Sequence, residues 1–239
     1  ANRDSEGAMV KSLWDKWCGA TSMFDWVARN VKYAMALNDT VVENNHLNIT
    51  EGMLWRHVDA GEVLSEIAYK RIFVWAMSWA MAGICETDQR AKFWEKFTEI
   101  ITAAGDSDAL PPCKEGETIF EYLPNPESKE KEYITWQVPE WKPPKKLNFS
   151  TLLIPTLDSV RVDFLMSIVS KIPKSRSSFQ SSLVVGSPGT AKTSTVLIYL
   201  SKFSLDVCAN KRVNFSSATT PGGLQKTIES EVERKTGKT

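Results

Sequence analysis

The 239-residue sequence predicts an α-helical subdomain followed by an incomplete α/β, parallel-sheet subdomain that carries a phosphate-binding loop. Three observations predict this. Apolar residues recur at helical spacing between positions 61 and 104. Prolines then divide the stretch 106–150 into short pieces, as at a boundary. Finally, Ser182-Leu-Val-Val-Gly-Ser-Pro-Gly-Thr-Ala-Lys-Thr193 reads as a strand, a glycine-containing loop and a helix start, in that order.

Composition narrows the class. Apolar residues make up 42% of the chain, which fits a globular protein. Lys plus Arg equals Asp plus Glu, 29 each, so no net field draws the chain to nucleic acid or to an anionic membrane, and neither is expected as a partner. Cys18, Cys85, Cys113 and Cys208 lie far apart with no Cys-x-x-Cys pair, which argues against zinc and fits a reducing compartment. No targeting peptide is read at the start. The Asn-x-Ser/Thr sequons at Asn38, Asn48, Asn148 and Asn214 are read as chance.

Residues 1–37 read as two helices divided near Cys18–Ser22, the second from about Met23 to Leu37 with Phe24, Val27, Val31 and Met35 near one face. Asn38 to His57 is polar and weakly patterned, so a loop with a short helix near Glu51–Trp55 is expected. The only histidines, His46 and His57, are read as surface residues. Ile72 to Cys85 is a run of about fourteen apolar-rich residues, short of a membrane span, and predicts the buried central helix of the helical subdomain. A second helix follows, with Thr87 or Asp88 as N-cap, a face of Phe93, Phe97, Ile100 and Ile101, and Gly105 as stop signal; the two are expected to form an antiparallel pair. Between the prolines of 106–150, Thr118–Leu123 and Tyr133–Val138 have β-type composition and predict a hairpin. The charged segment Glu127–Glu132 between them is read as a solvated loop. The expected domains are therefore 1–105, 106–150 and 151–239.

Residues 151–239 alternate β and α patterns. A helix is expected from Asp158 to Ile172, a strand at Leu183–Val185, a helix from Lys192 to Phe203, a second strand around Lys211–Phe215 and a helix from Pro221. Two parallel strands cannot bury both faces of a sheet, so the segment is expected to be cut from a longer chain.

The phosphate-binding reading rests on Gly186 to Thr193. Gly186 and Gly189 let the backbone turn tightly enough to aim successive N–H groups at phosphate oxygens, with Ser187, Pro188 and Thr190 between and beside them. Lys192 supplies a cation to the β- and γ-phosphates, and the hydroxyl of Thr193 can ligate Mg2+. Ser194 continues the helix whose positive dipole end faces the anion. Ala191 replaces the second glycine of the general pattern. A negative φ there makes the methyl group harmless, and a positive φ makes it costly.

Four stretches, Ile154-Pro-Thr-Leu-Asp-Ser-Val-Arg161, Gly186–Thr193, Val213–Thr220 and Leu224–Lys235, together with the Trp-rich helix at 72–85 and the Trp136–Trp141 segment, resemble a dynein heavy chain of axonemal, outer-arm type. The resemblance covers roughly residues 60–239, from the helical part of a second AAA+ module into the start of the third. It implies a ring motor that uses ATP to produce force on microtubules in the cytoplasm or the ciliary and flagellar axoneme, with dynein intermediate and light chains as partners. It also implies that the third module binds ATP or ADP in a regulatory role, with Ile154 and Pro155 covering the adenine. The acidic Walker B strand of such modules would follow the Arg234-Lys235 helix. The expectation is therefore that the segment binds nucleotide with Mg2+ but does not hydrolyse ATP alone. The alternatives are a self-contained ATP-binding regulatory module and, further off, a small-molecule kinase.

Overall fold

Thirteen of the seventeen residues of one helix, Glu66–Ala82, are buried, which makes it the element others surround. The computed structural model describes residues 3–143, 152–170, 181–204 and 210–231, and the chain divides into two units, residues 1–199 and 200–239. In the first unit α1 (Arg3–Trp14) runs through a π turn at Asp15–Gly19 towards α2 (Met23–Asn30); α3 (Asp39–Asp59), the central α4 (Glu66–Ala82) and α5 (Thr87–Ala103) follow. Ser65 caps α4, its side chain accepting from the N–H of Ala68 at 3.4 Å. Trp17, Ile72, Phe73, Trp75, Met77, Phe93 and Phe97 form the fully buried centre of the core, with Cys18 and Cys85 also buried and Cys113 half-buried at its edge.

Two polar groups, one buried and one half-buried, fasten the helices. Past Gly105, which takes the left-handed conformation after α5 (φ +80°), the Asp106 carboxylate accepts from Trp17 Nε1 at 3.1 Å and pairs with Lys70 at 3.0 Å and with Lys16. Burial opposes its charge, but the two lysines outweigh burial and hold the carboxyl below its ordinary range. At the other end of α4, Arg90 donates to the carbonyls of Ala82 (3.3 Å) and Gly83 (2.5 Å) while its guanidinium lies 4.9 Å from the Phe120 ring centre. It takes up the Gly83 carbonyl at the C-terminal turn and adds to the bond that the Ala82 carbonyl accepts from the Cys85 N–H at 3.0 Å.

A hairpin is present but shorter than expected: β1 (Tyr122–Pro124) pairs antiparallel with β2 (Tyr133–Thr135), Leu123 opposite Ile134, whereas Ile119–Glu121 forms a 3-10 turn capped by Thr118 and the second strand ends before Val138. Trp75 Nε1 donates to the Tyr122 carbonyl at 3.0 Å, which ties the hairpin to α4, and Trp136 Nε1 donates to that of Phe120 at 2.9 Å, which joins the two flanks of the hairpin. Next comes α6 (Leu157–Ser170), whose Phe164 ring meets Trp75 at 6.0 Å and Trp136 at 5.6 Å. Here α3 and α6 touch at backbone distance: a Cβ on Gly52 would stand 2.7 Å from the Ile168 carbonyl oxygen.

Several expectations are corrected. Asn38–His57 is not a loop but most of the 21-residue α3. The helix from Met23 stops at Asn30 rather than Leu37; the Asn30 carbonyl accepts from Lys92 Nζ (2.8 Å) and the Lys32 N–H donates to Gln89 (2.9 Å), so side chains of α5 take the groups a continuing helix would need. The N-cap of α5 is Glu86, with Thr87 already helical. His46 and His57 are buried, not superficial. The Glu127–Glu132 loop is not merely solvated, because Lys131 is fully buried in it, donating to His57 Nε2 (2.6 Å) and to the carbonyls of Pro126 (2.7 Å) and Asn125 (3.2 Å). No parallel sheet forms among the described residues: Leu183–Val185 and Lys211–Phe215 are irregular, and Leu183 is 80% exposed. An apolar segment without ladder partners on its edges gains neither the hydrogen bonds nor the burial that make a strand.

The first unit ends within α7 (Lys192–Leu200). In the second, α8 (Pro221–Glu229) begins with Thr220, whose hydroxyl accepts from the Gly223 N–H at 3.2 Å, and has Pro221 in its first turn, where the missing N–H costs nothing. Lys211 pairs with Glu231 across this unit.

Candidate functional site

The site is built on the turn that feeds α7. Gly189 has φ +81° and Ala191 φ +57°, whereas Thr190 between them keeps a negative φ. Alternation of this kind turns neighbouring N–H groups to one side and makes an anion-binding concavity. The open question at Ala191 is thereby answered: it holds the left-handed conformation that the general pattern assigns to glycine. Gly186 matters for a different reason, since a Cβ there would lie 2.7 Å from Thr190 Oγ1 and would push that hydroxyl off Ser187 O and Lys192.

Lys192 lies at the centre of this turn. Its Nζ donates to the carbonyls of Gly186 (2.8 Å) and Ser187 (2.7 Å) and to Thr190 Oγ1 (3.3 Å), while Thr190 Oγ1 itself donates to Ser187 O at 2.8 Å. The carbonyl of Ala191 accepts from both the N–H (2.9 Å) and the hydroxyl (3.0 Å) of Thr195, which fixes the loop to the first turn of α7. Thr195 was not among the expected site residues. Its position four residues after Ala191, where a threonine hydroxyl can bond back to a helical carbonyl, is the signal that could have found it.

Of the expected residues, Gly186, Ser187, Thr190, Ala191 and Lys192 are drawn together by these bonds. Pro188, Thr193 and Ser194 are exposed around them, and Thr193 stands in the first turn of α7 with its hydroxyl open to solvent. Ile154, half exposed, and Pro155 precede α6. The far ends of α6 and α7 are joined by Tyr199 Oη donating to Ser170 Oγ at 2.7 Å. A tight anion concavity, a lysine within it, a helix N-terminus behind it and a free hydroxyl beside it suit the phosphates of a nucleotide with its Mg2+. When bound, the metal ion would neutralise charge between the outer phosphates, with Thr193 as its protein ligand.

A separate cavity of about 540 Å3 opens between α1 and α3, lined by Val10, Trp14, Leu47, Leu54 and Trp55 among others. None of the phosphate-loop residues reaches it, so its size does not make it the site of this chemistry. No helix among the described residues is long and apolar enough to cross a membrane.

Comparison with known proteins matches two families over successive stretches of the chain. Residues 11–138 match the family described as the dynein heavy chain AAA lid domain, and residues 141–239 that described as the P-loop containing dynein motor region. The chain is 34% identical to the dynein gamma chain of the flagellar outer arm of Chlamydomonas reinhardtii, over 99% of its own length and 5% of that protein's. It is 30% identical to dynein axonemal heavy chain 5 of Rattus norvegicus over 91% of this chain and 6% of the relative. It is 28% identical to dynein axonemal heavy chain 8 of Mus musculus, over 98% and 5%. The chain therefore spans about one-twentieth of the length of the curated relatives it matches.

Proposed function

The chain belongs to the dynein heavy-chain family, and on that premise we propose that it is a length of an ATP-driven motor ring, acting on microtubules in the ciliary or flagellar axoneme. Residues 1–105 form the helical subdomain of one AAA+ module, 106–150 the connector, and 151–239 the beginning of the next module. The remainder of the ring is its immediate partner, with intermediate and light chains further off. Its contribution is a Walker A loop that binds ATP or ADP with Mg2+ in a regulatory module: Gly186 to Ser194 cradle the phosphates, Lys192 holds their outer oxygens, Thr193 takes the metal ion, and Ile154 and Pro155 cover the base. This stretch supplies the binding half of the site, and the carboxylates that position metal and attacking water come from elsewhere in the protein.

One observation carries the proposal, the closure of Gly186–Ala191 around the Lys192 ammonium at the start of α7. The test is Lys192→Ala in the intact protein, read by photolabelling with 8-azido-ATP and quantifying label on peptides from residues 152–204. A charge-assisted contact of about 1.5–3 kcal/mol is lost, so half-saturation should rise at least about tenfold. Unchanged labelling refutes the assignment.

A further inference from the structure

The strained residue of the phosphate loop and its gripping residue are neighbours, and the second braces the first. At φ +57°, Ala191 occupies a conformation that disfavours an L side chain by about 5- to 30-fold. Thr195 holds its carbonyl on one side. On the other, Lys192 ties the two limbs of the turn together through Gly186 O, Ser187 O and Thr190 Oγ1. An ammonium has three N–H donors, and all three are directed at the loop's own oxygens. A phosphate oxygen must take at least one of them.

Resting on the nucleotide-binding reading above, we infer that Ala191 sets the affinity of this site for nucleoside di- and triphosphates. The cation that grips the phosphates is the cation that keeps the alanine-bearing loop wound. The left-handed strain at Ala191 opposes those bonds and draws part of the free loop into an unwound form that cannot meet phosphate, and the unwound fraction lowers the apparent affinity. A glycine at 191 would adopt the same φ without strain and would stay wound with fewer bonds. The alanine-bearing loop accordingly binds more weakly and exchanges nucleotide more readily than a glycine-bearing one, which suits a site that follows the nucleotide level around it rather than trapping one molecule.

The experiment is Ala191→Gly in the intact protein, with photolabelling by 8-azido-ATP and by 8-azido-ADP in Mg2+ read on peptides from residues 152–204. Half-saturation should fall about threefold or more, since relief of the strain is partly offset by the greater freedom of glycine in the open loop. Ala191→Val, whose branched side chain suits a positive φ still less, should raise it. If Ala191→Gly labels with the parent's half-saturation or a higher one while Lys192→Ala loses label, the inference fails and the site stands. If Lys192→Ala labels like the parent, the site itself fails.

Discussion

Replacing Gly52 by alanine tests whether α3 and α6 are in backbone contact. In an exposed helix interior, Gly→Ala stabilises by about 0.5–1 kcal/mol, because alanine loses less backbone freedom on folding. Gly7, in the exposed face of α1, is such a site: a Cβ there meets nothing within 4 Å. At Gly52 the added carbon would stand 2.7 Å from Ile168 O and 2.9 Å from Ile168 C, both backbone atoms that no rotamer change can withdraw. One helix must shift, at a cost of about 1–3 kcal/mol as for other overpacked sites. The net expectation is a loss of about 1–2 kcal/mol for Gly52→Ala against a gain of about 0.5–1 for Gly7→Ala. All nine tryptophans lie between positions 14 and 141, so indole emission during urea unfolding reports the unit that contains both glycines. With an m-value of about 2–3 kcal/mol/M the midpoint should drop by about 0.5 M for Gly52→Ala and rise for Gly7→Ala. A midpoint that rises for both would show that α6 does not press on α3.

Two further outcomes follow from buried polar groups. Burial lowers the pKa of His46 to about 3, so between there and its ordinary value of 6.5 the unfolded chain binds a proton that the folded chain refuses. Stability from this residue is complete above pH 6.5 and is lost as pH falls, by up to about 1.4 kcal/mol per unit; between pH 7.5, 6 and 5 the urea midpoint should drop more steeply for the parent than for His46→Leu, and equal slopes would count against it. Lys131→Met should cost about 1–3 kcal/mol, because it removes a buried ammonium's bonds to His57 Nε2 and to the carbonyls of Pro126 and Asn125, leaving the longer His57 Nε2–Pro126 O (3.2 Å) and Ser128 N–H to Asn125 O (3.3 Å) contacts to serve them. A midpoint within error of the parent's would mean those acceptors find water instead.

What the sequence disclosed and what it concealed divide along physical lines. The central helix was legible because all but one of its thirteen buried residues, Ser78, are apolar or aromatic, and the hairpin because prolines and β-type residues mark its strands. Helix α3 was hidden, although its buried positions Val42, His46, Ile49, Thr50, Met53 and His57 keep strict helical spacing. Two histidines and a threonine occupy core positions there, so a hydrophobicity pattern shows only half of the stripe. The phosphate loop could be placed from its residue order alone, but the sign of φ at Ala191 could not, since it depends on bonds made by Thr195 and Lys192. The two strands failed for the opposite reason. Their local composition was adequate, and a strand is a property of its neighbours.

The burial of the thiols has a chemical consequence. Leaving water pushes Cys18 up to about 12, and Cys85 and Cys113 to about 11. At neutral pH about one thiol in ten thousand, or fewer, is then ionised, and the thiolate is the form that attacks peroxide, disulfides and alkylating reagents. Oxidant bursts should pass these three residues by. A cysteine introduced at exposed Leu47 or Val63 would accordingly take up a maleimide dye ahead of them, and the helical half can be tagged without first removing its native sulfhydryls.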